Sequence, residues 1–229
     1  MNAPSIKPFS ERGFIAQING FSSDIDGGLY ANAVAAALRS QEAIDDAVAG
    51  IDSVAIRFDP AHLGAEDAKR MLLSAIENTP HTARPEPGKH IELPVCYGGE
   101  YGPDFDDLCT QFDLTPDALV QLHSGATYRV ITLGFAPGFV YLGELPGGLD
   151  VPRLETPRPR VEAGSVGLAG RYTGVYSLPS PGGWRIIGRT PLALFNPENE
   201  SPFFFEAGDE VRFKAVTPEE FGVINRKNR

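Results

Sequence analysis

The sequence predicts an α+β fold that is mainly β, with a small N-terminal α/β unit followed by a larger β-barrel or sandwich. Three observations favour this fold. Strand-like and helix-like apolar patterns alternate in the first third, prolines interrupt residues 79–89, and from Tyr128 onward short apolar runs are separated by Gly and Pro. With 229 residues, of which 42% are hydrophobic, the chain is long enough to bury one large or two small cores.

The first third is predicted to contain two strands and two helices, which cover residues 13–20 and 53–58, and residues 29–39 and 65–78, respectively. In the second helix, the apolar residues fall on one face at helical spacing: Ala68, Met71, Leu72, Ala75 and Ile76. Proline cannot continue a regular element and restricts the residue before it. The prolines that follow the helix therefore predict a linker over residues 79–89.

The remaining residues, 90–229, begin with a predicted strand at residues 90–95 and two short helices. Thr115, Pro116 and Asp117 give the second helix an N-cap, a first-turn proline and an acid that the helix dipole favours, and Gly125 ends it. The later apolar runs have the length and turn spacing of strands: YRVITLGF, GFVYLG, SVGLAG, GVYSL, WRIIGR, LALF and DEVRF. They predict a closed or nearly closed β-barrel or sandwich.

Composition argues against several classes of function. A formal net charge of -10 disfavours nucleic acid and anionic membranes as partners. No apolar run approaches the roughly 20 residues of a membrane span, and MNAPSIKPFSER lacks the apolar core of a signal peptide, so we expect a cytoplasmic protein. Cys96 and Cys109 form no CxxC pair and have no histidine at ligand spacing, so no metal site is expected.

Several catalytic motifs do not occur. Gly88-Lys89 is followed by His90, so there is no phosphate loop of the Gly-Lys-Ser/Thr kind, and Ser165 lies in AGSVG rather than in a GxSxG elbow. There is also no HExxH and no Ala/Met-Lys-Met triplet of the biotin-carrier kind. If ATP or biotin is used, a partner must supply much of the machinery.

The positive signal is a concentration of arginine between Ala126 and Thr190. This stretch contains seven arginines, four acids and no lysine, in a chain that is strongly acidic overall. Guanidinium suits bidentate binding of carboxylate or phosphate. The arginines next to Pro or Gly, in VPR, TPRPR and IGRTP, are our preferred anion contacts: Arg153, Arg158 and Arg189. We expect these three to converge on one concave face beside Gly138, Ser165 and Thr190. The alternative is that they are solvated strand ends.

Other candidate site residues lie near these arginines. Pro137, Gly138 and Phe139 form a rigid turn that would let a ligand or a partner's backbone approach, or would serve as a barrel corner. Trp184 follows Pro-Gly-Gly and would wall a pocket or anchor the core. Gly164, Ser165 and Thr190 are suited to binding a carboxylate or phosphate oxygen, because they combine close backbone approach with small hydroxyl groups.

His123 is predicted to lie at the C-terminal end of its helix, four residues after Leu119 on the same face. The helix dipole favours its charge there, and a lone histidine on an apolar face usually packs into the core. Its alternative role is general acid/base catalysis beside the GFAPGF turn. We therefore carry His123 as a candidate catalytic residue together with Arg153 and Arg189, which would stabilise charge that develops on phosphate and carbonyl oxygens.

Five segments resemble one protein family: YGGEYGPDFDDL, LHSGATYRVITLGFAPGFVYLGELP, VPRLETPRPRVEAGSVGLAG, SPGGWRIIGRTPLALFNP and AGDEVRF. The family contains the B subunit of 5-oxoprolinase, the kinase inhibitor KipI and allophanate hydrolase subunit 1, and corresponds to subdomains C and D of a carboxyltransferase domain. The resemblance implies a cyclophilin-like β-barrel over residues 90–229, a linker at residues 79–89 and a smaller α/β domain over residues 1–78. Glu162 departs from the usual family pattern and puts an extra carboxylate beside the arginines.

The resemblance also implies a function. The chain would be one subunit of an ATP-dependent 5-oxoprolinase, which converts 5-oxo-L-proline to L-glutamate, or of a related amide-cleaving hydrolase. It would act with ATP and Mg, shared with two partners: a homologous carboxyltransferase-like protein, of the type of the 5-oxoprolinase C subunit or of allophanate hydrolase subunit 2, and a protein of the A-subunit type. The alternatives are a regulatory binding module of the histidine-kinase-inhibitor type and a urea- or allophanate-type carboxyltransferase subunit.

Overall fold

The structure is a computed structural model that describes residues 4–85 and 88–227. The chain divides into two compact units, Met1–Pro87 and Gly88–Arg229. Within the described residues, no helix is both long enough and apolar enough to cross a membrane. The predicted fold class is confirmed, since the larger unit contains a closed seven-stranded barrel and the smaller unit combines a sheet with helices.

The N-terminal unit is a four-stranded antiparallel sheet in the order β1-β2-β4-β3, with two helices. Its elements are β1 (Ile6–Ser10), β2 (Gly13–Gln17), α1 (Asp24–Arg39), β3 (Ile44–Ala49), β4 (Ser53–Phe58) and α2 (Ala65–Asn78). In β4, Val54, Ile56 and Phe58 are buried while the residues between them are more exposed. This alternation places one face of the sheet in the core that it shares with the helices.

Local chemistry explains where α1 begins. The Ser23 hydroxyl accepts a hydrogen bond from the Asp26 amide, so the helix starts at Asp24, five residues before the predicted start. Residues after α2 also contact this unit, because the His81 ring stacks on Phe21 at 4.9 Å and Arg84 pairs with Asp26 at 2.7 Å. The first part of the predicted linker is therefore held by side-chain contacts to the N-terminal unit.

In its described residues, 88–227, the C-terminal unit combines nine strands with three α-helices. The elements are β5 (His90–Tyr97), α3 (Phe105–Gln111), α4 (Pro116–Ser124), β6 (Thr127–Leu133), β7 (Val140–Gly143), β8 (Arg158–Val161), β9 (Ser165–Ala169), β10 (Tyr172–Val175), β11 (Ser180–Gly182), β12 (Arg185–Arg189), β13 (Glu210–Ala215) and α5 (Pro218–Lys227). The Thr115 hydroxyl accepts from the Ala118 amide and caps α4, as predicted.

Seven of the strands close the barrel and two, β8 and β11, pair in a separate ribbon. The barrel order is β10-β7-β6-β13-β5-β12-β9; β5 and β13 are parallel, and the other neighbours are antiparallel. Alternate residues of the strands fill the interior, so that Leu93 and Val95 of β5 meet Val211 and Phe213 of β13 in one core.

A second, smaller apolar cluster belongs to the same unit and is separate from the main barrel core. Its buried members come from β8, β9 and β12 or from residues next to β7, β10 and β12: Phe139, Val161, Ala169, Tyr176, Trp184 and Ile186. In β9 every residue is buried. The strand therefore has apolar packing on both of its faces, toward the barrel core on one side and toward the smaller cluster on the other.

Candidate functional site

An aromatic pocket of about 240 Å³ opens on the smaller apolar cluster. Five aromatic side chains line it, together with one arginine and a set of prolines and glycines: Phe135, Phe139, Tyr141, Tyr176 and Trp184, Arg153, and Pro157, Pro181, Gly182 and Gly183. Pockets of this kind, with apolar walls and a few polar groups, are where small ligands usually bind. The predicted site residues Phe139, Arg153 and Trp184 all lie here.

The aromatic rings hold one another in fixed orientations. Phe139 is the centre of the group: its ring centroid lies 4.8 Å from Tyr141, 4.9 Å from Tyr176 and 5.5 Å from Trp184, in edge-on geometry each time. Edge-on contacts place the positive ring edge against the negative face and are favourable beyond burial alone. The walls are therefore ordered before a ligand arrives, which reduces the entropy lost on binding.

Two glycines are required for the rings to fit. A Cβ atom on Gly182 would lie 2.2 Å from the Tyr176 hydroxyl oxygen, and one on Gly174 would lie 3.0 Å from the Trp184 ring and 3.1 Å from the Phe139 ring. A side chain at either position would displace an aromatic wall. The glycines of GVYSL and SPGGW thus act in the pocket as spacers.

The GFAPGF turn forms one lip of the pocket. Phe135 has a φ of 72°, unusual for a residue with a side chain, and it is 66% exposed. The turn is fixed from behind, because the Ser177 hydroxyl donates to the Pro137 carbonyl at 2.6 Å and Gly138, with a φ of 78°, packs against Ser177 and Phe195. Phe139 is buried, as a barrel corner requires, while Phe135 faces solvent, and ligand binding at this turn stays a prediction.

Arg153 supplies the positive charge of the pocket. Its guanidinium carbon lies 6.0 Å from the centroid of the Trp184 ring, in cation–π geometry, and it forms no ion pair within the described part of the chain. Burial raises the pKa of Tyr141 and of Tyr176, while the charge of Arg153 acts on both in the opposite direction. The two phenols therefore stay protonated at neutral pH and can donate hydrogen bonds to a ligand.

Arg158 follows the pocket wall Pro157 and has a partner inside the chain. Its two terminal nitrogens donate to the two oxygens of Asp104 at 2.9 and 2.8 Å, and Asp104 also accepts from the Ile186 amide at 2.6 Å. The planar fork that we predicted for a ligand anion is thus occupied by a buried carboxylate. Arg185 approaches the same carboxylate at 3.6 Å, so Asp104 faces two guanidinium groups.

Arg189 belongs to a third location, with Gly164, Ser165 and Thr190. Its Nε donates to the Ala163 carbonyl at 2.8 Å, and a Cβ atom on Gly164 would lie 2.4 Å from the Thr190 carbonyl oxygen. Trp184 and Arg189 lie at opposite ends of β12, about 16 Å apart at the usual strand rise. The predicted convergence of Arg153, Arg158 and Arg189 on one face is therefore wrong.

The backbone amides at this third location are already used. Gly164 donates to the Tyr176 carbonyl, Ser165 to the Glu162 carbonyl and Thr190 to the Gly164 carbonyl, at 2.6, 3.2 and 2.9 Å. A phosphate cradle needs amide hydrogens that point at the ligand. These three amides therefore do not form a phosphate cradle, and the binding role predicted for the Ser165 and Thr190 hydroxyls stays a prediction.

His123 lies in the interior of the unit and is 1% exposed. The Thr173 hydroxyl donates to the Gly167 carbonyl, so it accepts from Nε2–H of His123 at 2.9 Å, which leaves Nδ1 to accept from the Tyr97 hydroxyl at 2.7 Å. Burial lowers the pKa of His123 to about 3. Both ring nitrogens are satisfied within the chain, so the structure places His123 in the core and not at the pocket.

The sequence patterns did not identify three residues that line or support the pocket. Tyr141 follows Phe139 by two positions, and the two-residue period of a strand could have placed both on one face. Tyr176 could have been suspected from its place after Gly174-Val175. Asp104 had no usable signal, because its partners Arg158 and Ile186 lie 54 and 82 residues away.

The fold and this site define a carboxyltransferase-type barrel module with an aromatic pocket on its outer side. A sequence profile of the family "Carboxyltransferase domain, subdomain C and D" matches residues 4–205. The chain belongs to this family.

Curated relatives and solved structures agree with the assignment. The chain is 46% identical to the 5-oxoprolinase B subunit of Bacillus subtilis over 131 residues, 57% of this chain and 55% of the relative. It is 42% identical to the protein of the same name from Escherichia coli O157:H7 over 178 residues, 78% of this chain and 79% of the relative. The structure of Kluyveromyces lactis urea carboxylase shares the fold, with a TM-score of 0.80 at 18% identity over 98% of this chain and 23% of that chain. The chain thus matches little more than half the length of the Bacillus subtilis relative.

Proposed function

We propose that this chain is one subunit of an ATP-dependent 5-oxoprolinase, which converts 5-oxo-L-proline to L-glutamate and is active only with its partner subunits. The observation that carries the proposal is the 42% identity, across 78% of this chain, to a protein named as the B subunit of 5-oxoprolinase. The proposed location is the cytoplasm, where ATP is available.

The distribution of functional groups supports a protein that needs partners. The pocket contains phenols and a guanidinium but, among the described residues, no nucleophile with an adjacent base, which covalent catalysis requires. Because the amides of Gly164, Ser165 and Thr190 are occupied, we assign most of the site for ATP and its Mg ion to a partner. This chain would contribute the binding and orientation of the substrate.

Two partners are proposed. One is a homologous carboxyltransferase-like protein, of the type of the 5-oxoprolinase C subunit or of allophanate hydrolase subunit 2, and the other is a protein of the A-subunit type. The urea carboxylase relative of Emericella nidulans supports this proposal, because this chain covers only 11% of it and the module there belongs to a far longer polypeptide.

Reconstitution tests the proposal. The chain, the two candidate partners and all their combinations are purified, and ATP consumption that depends on 5-oxoproline is measured together with glutamate formation. We expect turnover only when all subunits are present. Robust turnover by this chain alone, or none by the full set, would contradict the proposal.

A urea- or allophanate-type carboxyltransferase role is weaker, because the Emericella nidulans relative is only 29% identical over 149 residues. The same reconstituted subunits are tested with urea and allophanate in place of 5-oxoproline. Turnover with either, and none with 5-oxoproline, would favour this role.

One observation favours a second candidate, a regulatory module that binds a protein. Phe135 is two-thirds exposed at the lip of the pocket, and exposed aromatic side chains are typical anchors of protein interfaces. This candidate predicts no turnover in any combination, and inhibition of histidine-kinase autophosphorylation that Phe135→Ser removes.

A further inference from the structure

We propose that the aromatic pocket binds the lactam substrate itself, with the guanidinium of Arg153 paired to its carboxylate and the ring held against the aromatic walls at Phe135 and Trp184. The inference rests on the proposed function and names the place and manner of substrate binding. The ligand class is a small cyclic amide that carries one carboxylate.

The pairing of the arginines indicates that the pocket favours an anionic ligand. Five other arginines of the same stretch have carboxylate partners within the chain: Arg129 with Glu210, Arg158 and Arg185 with Asp104, Arg160 with Glu162, and Arg171 with Glu144. Arg153 has none within the described part of the chain, although it lies at the aromatic pocket of the unit. The guanidinium carbon of Arg153 lies 6.0 Å from the centroid of the Trp184 ring, and its N–H groups can donate to a carboxylate that enters the pocket.

The walls select a compact ring. The pocket is small, at about 240 Å³, and largely aromatic, and Phe135 at its lip is 66% exposed, so its ring is available to a ligand. Saturated ring carbons gain from contact with such surfaces, whereas an extended peptide would need a groove open at both ends. Gly183 lines the pocket without a side chain, so a ligand can approach its backbone.

The tyrosine hydroxyls of the pocket favour a ligand that carries a carbonyl group. The Tyr141 hydroxyl makes no hydrogen bond within the described part of the chain, and burial raises its pKa, so it is an available donor. A lactam carbonyl that accepts from Tyr141 while its carboxylate pairs with Arg153 would be held at two points. The pocket thereby fixes the orientation of the bond to be broken relative to groups that a partner supplies.

The molecule provides its own reporter, because Trp184 is the only tryptophan in the chain. Intrinsic fluorescence of the isolated chain is titrated with 5-oxoproline, and the KM for 5-oxoproline is measured in the assembled complex. Both are repeated for Arg153→Gln, Arg153→Lys, Tyr141→Phe and, as a matched control, Arg212→Gln, an exposed arginine on β13.

We expect a saturable change in Trp184 fluorescence and a KM that rises about ten- to hundredfold in Arg153→Gln. Arg153→Lys should rescue only part of the loss, because lysine keeps the charge but not the planar fork. Tyr141→Phe should weaken binding less than Arg153→Gln, and Arg212→Gln should match the unaltered chain. Thermal melting confirms that each variant is folded.

The outcomes separate the two proposals. Turnover by the complex with an unchanged KM in Arg153→Gln would overturn this inference and leave the proposed function in place. No turnover by any combination, with a fluorescence response to 5-oxoproline that Arg153→Gln abolishes, would overturn the proposed activity and support the pocket as a site for cyclic carboxylates.

Discussion

Polar side chains inside the barrel have hydrogen-bond partners within the chain, whereas two of those in the aromatic pocket outside the barrel have no such partner among the described residues. Inside, His123 has a hydrogen-bond partner on each ring nitrogen, and Tyr97 and Thr173 complete the chain of contacts. In the pocket, the Arg153 guanidinium has no ion-pair partner and the Tyr141 hydroxyl no hydrogen-bond partner within the described residues. A polar group that is fully satisfied within the chain stabilises the fold, whereas one that is ordered but unpartnered is available to a ligand.

Asp104 gives the strongest test of this distinction. It is 3% exposed and holds Arg158 and the Ile186 amide, next to two walls of the pocket, Pro157 and Trp184. Asp104→Ala should lower the free energy of unfolding by about 3 to 5 kcal/mol, because it leaves two partly buried guanidinium groups without a counter-charge and the buried Ile186 amide without an acceptor. Urea denaturation measures the loss.

Asp107→Ala is the matched control, since the Asp107 side chain is 76% exposed and makes only a distant contact with Arg185. It should change the free energy of unfolding by less than about 0.5 kcal/mol. Equal effects of the two substitutions would show that Asp104 is not the internal anchor described here.

The buried His123 predicts a particular dependence of stability on pH. Its pKa is about 3 in the folded chain, below the ordinary value of 6.5, so the unfolded chain binds a proton first as the pH falls. Stability is therefore complete above about pH 6.5 and is lost toward pH 3, by at most about 1.4 kcal/mol per pH unit. Chemical denaturation between pH 7 and 5 measures the slope before most carboxylates titrate.

In His123→Gln this contribution to the slope should disappear, whatever the absolute stability of the variant. If the slopes of the two proteins are the same between pH 7 and 5, His123 is accessible to protons in the folded state. His123 would then not be the fully satisfied interior group that distinguishes the barrel core from the pocket.

Two arginines five positions apart sharpen the comparison. Arg158→Ala should destabilise the chain by about 1 to 3 kcal/mol, because it removes a charge-assisted bidentate pair from a buried carboxylate. Arg153→Ala should lower the free energy of unfolding by less than about 1 kcal/mol, since the residue has only its cation–π contact with Trp184 to lose and no ion pair within the described chain. Denaturation curves measured side by side check both values, and a reversed order would contradict the assignment.

The smallest effect on activity is expected for the cysteines. Cys96 and Cys109 are buried, and burial raises the pKa of both thiols, so neither is a ready nucleophile. Replacing both by Ala should cost about 1 to 3 kcal/mol in packing and leave turnover of the assembled complex within a few fold. Loss of all turnover in a folded double variant would require a chemical role for one of them.

The sequence predicts more of the fold than of the site. Strand and helix periods, the Thr115 cap and the Gly/Pro spacing after Tyr128 are local signals, and the barrel and helices follow them. Strand β1 was missed because its residues are mostly exposed, and α1 was placed too late because two glycines near its start weaken the helical pattern. The LALF run is not a strand, since only Phe195 forms an isolated bridge, with Phe203.

The site depended on contacts that no local pattern records. Arg153, Arg158 and Arg189 look alike in sequence, each beside Pro or Gly, and yet one lies over an indole, one is paired with Asp104 and one is bonded to a backbone carbonyl. Sequence could show that the stretch is rich in guanidinium. Only the long-range pairing of strands and of Asp104 decides which guanidinium remains available.

An experimental structure of the assembled complex with 5-oxoproline and a non-hydrolysable ATP analogue tests the role of the pocket most directly. We predict ligand density in the aromatic pocket beside Trp184 with the carboxylate at hydrogen-bond distance from Arg153, and the nucleotide held mainly by a partner. Density for 5-oxoproline beside Arg189, or anywhere else outside the aromatic pocket, would contradict this assignment.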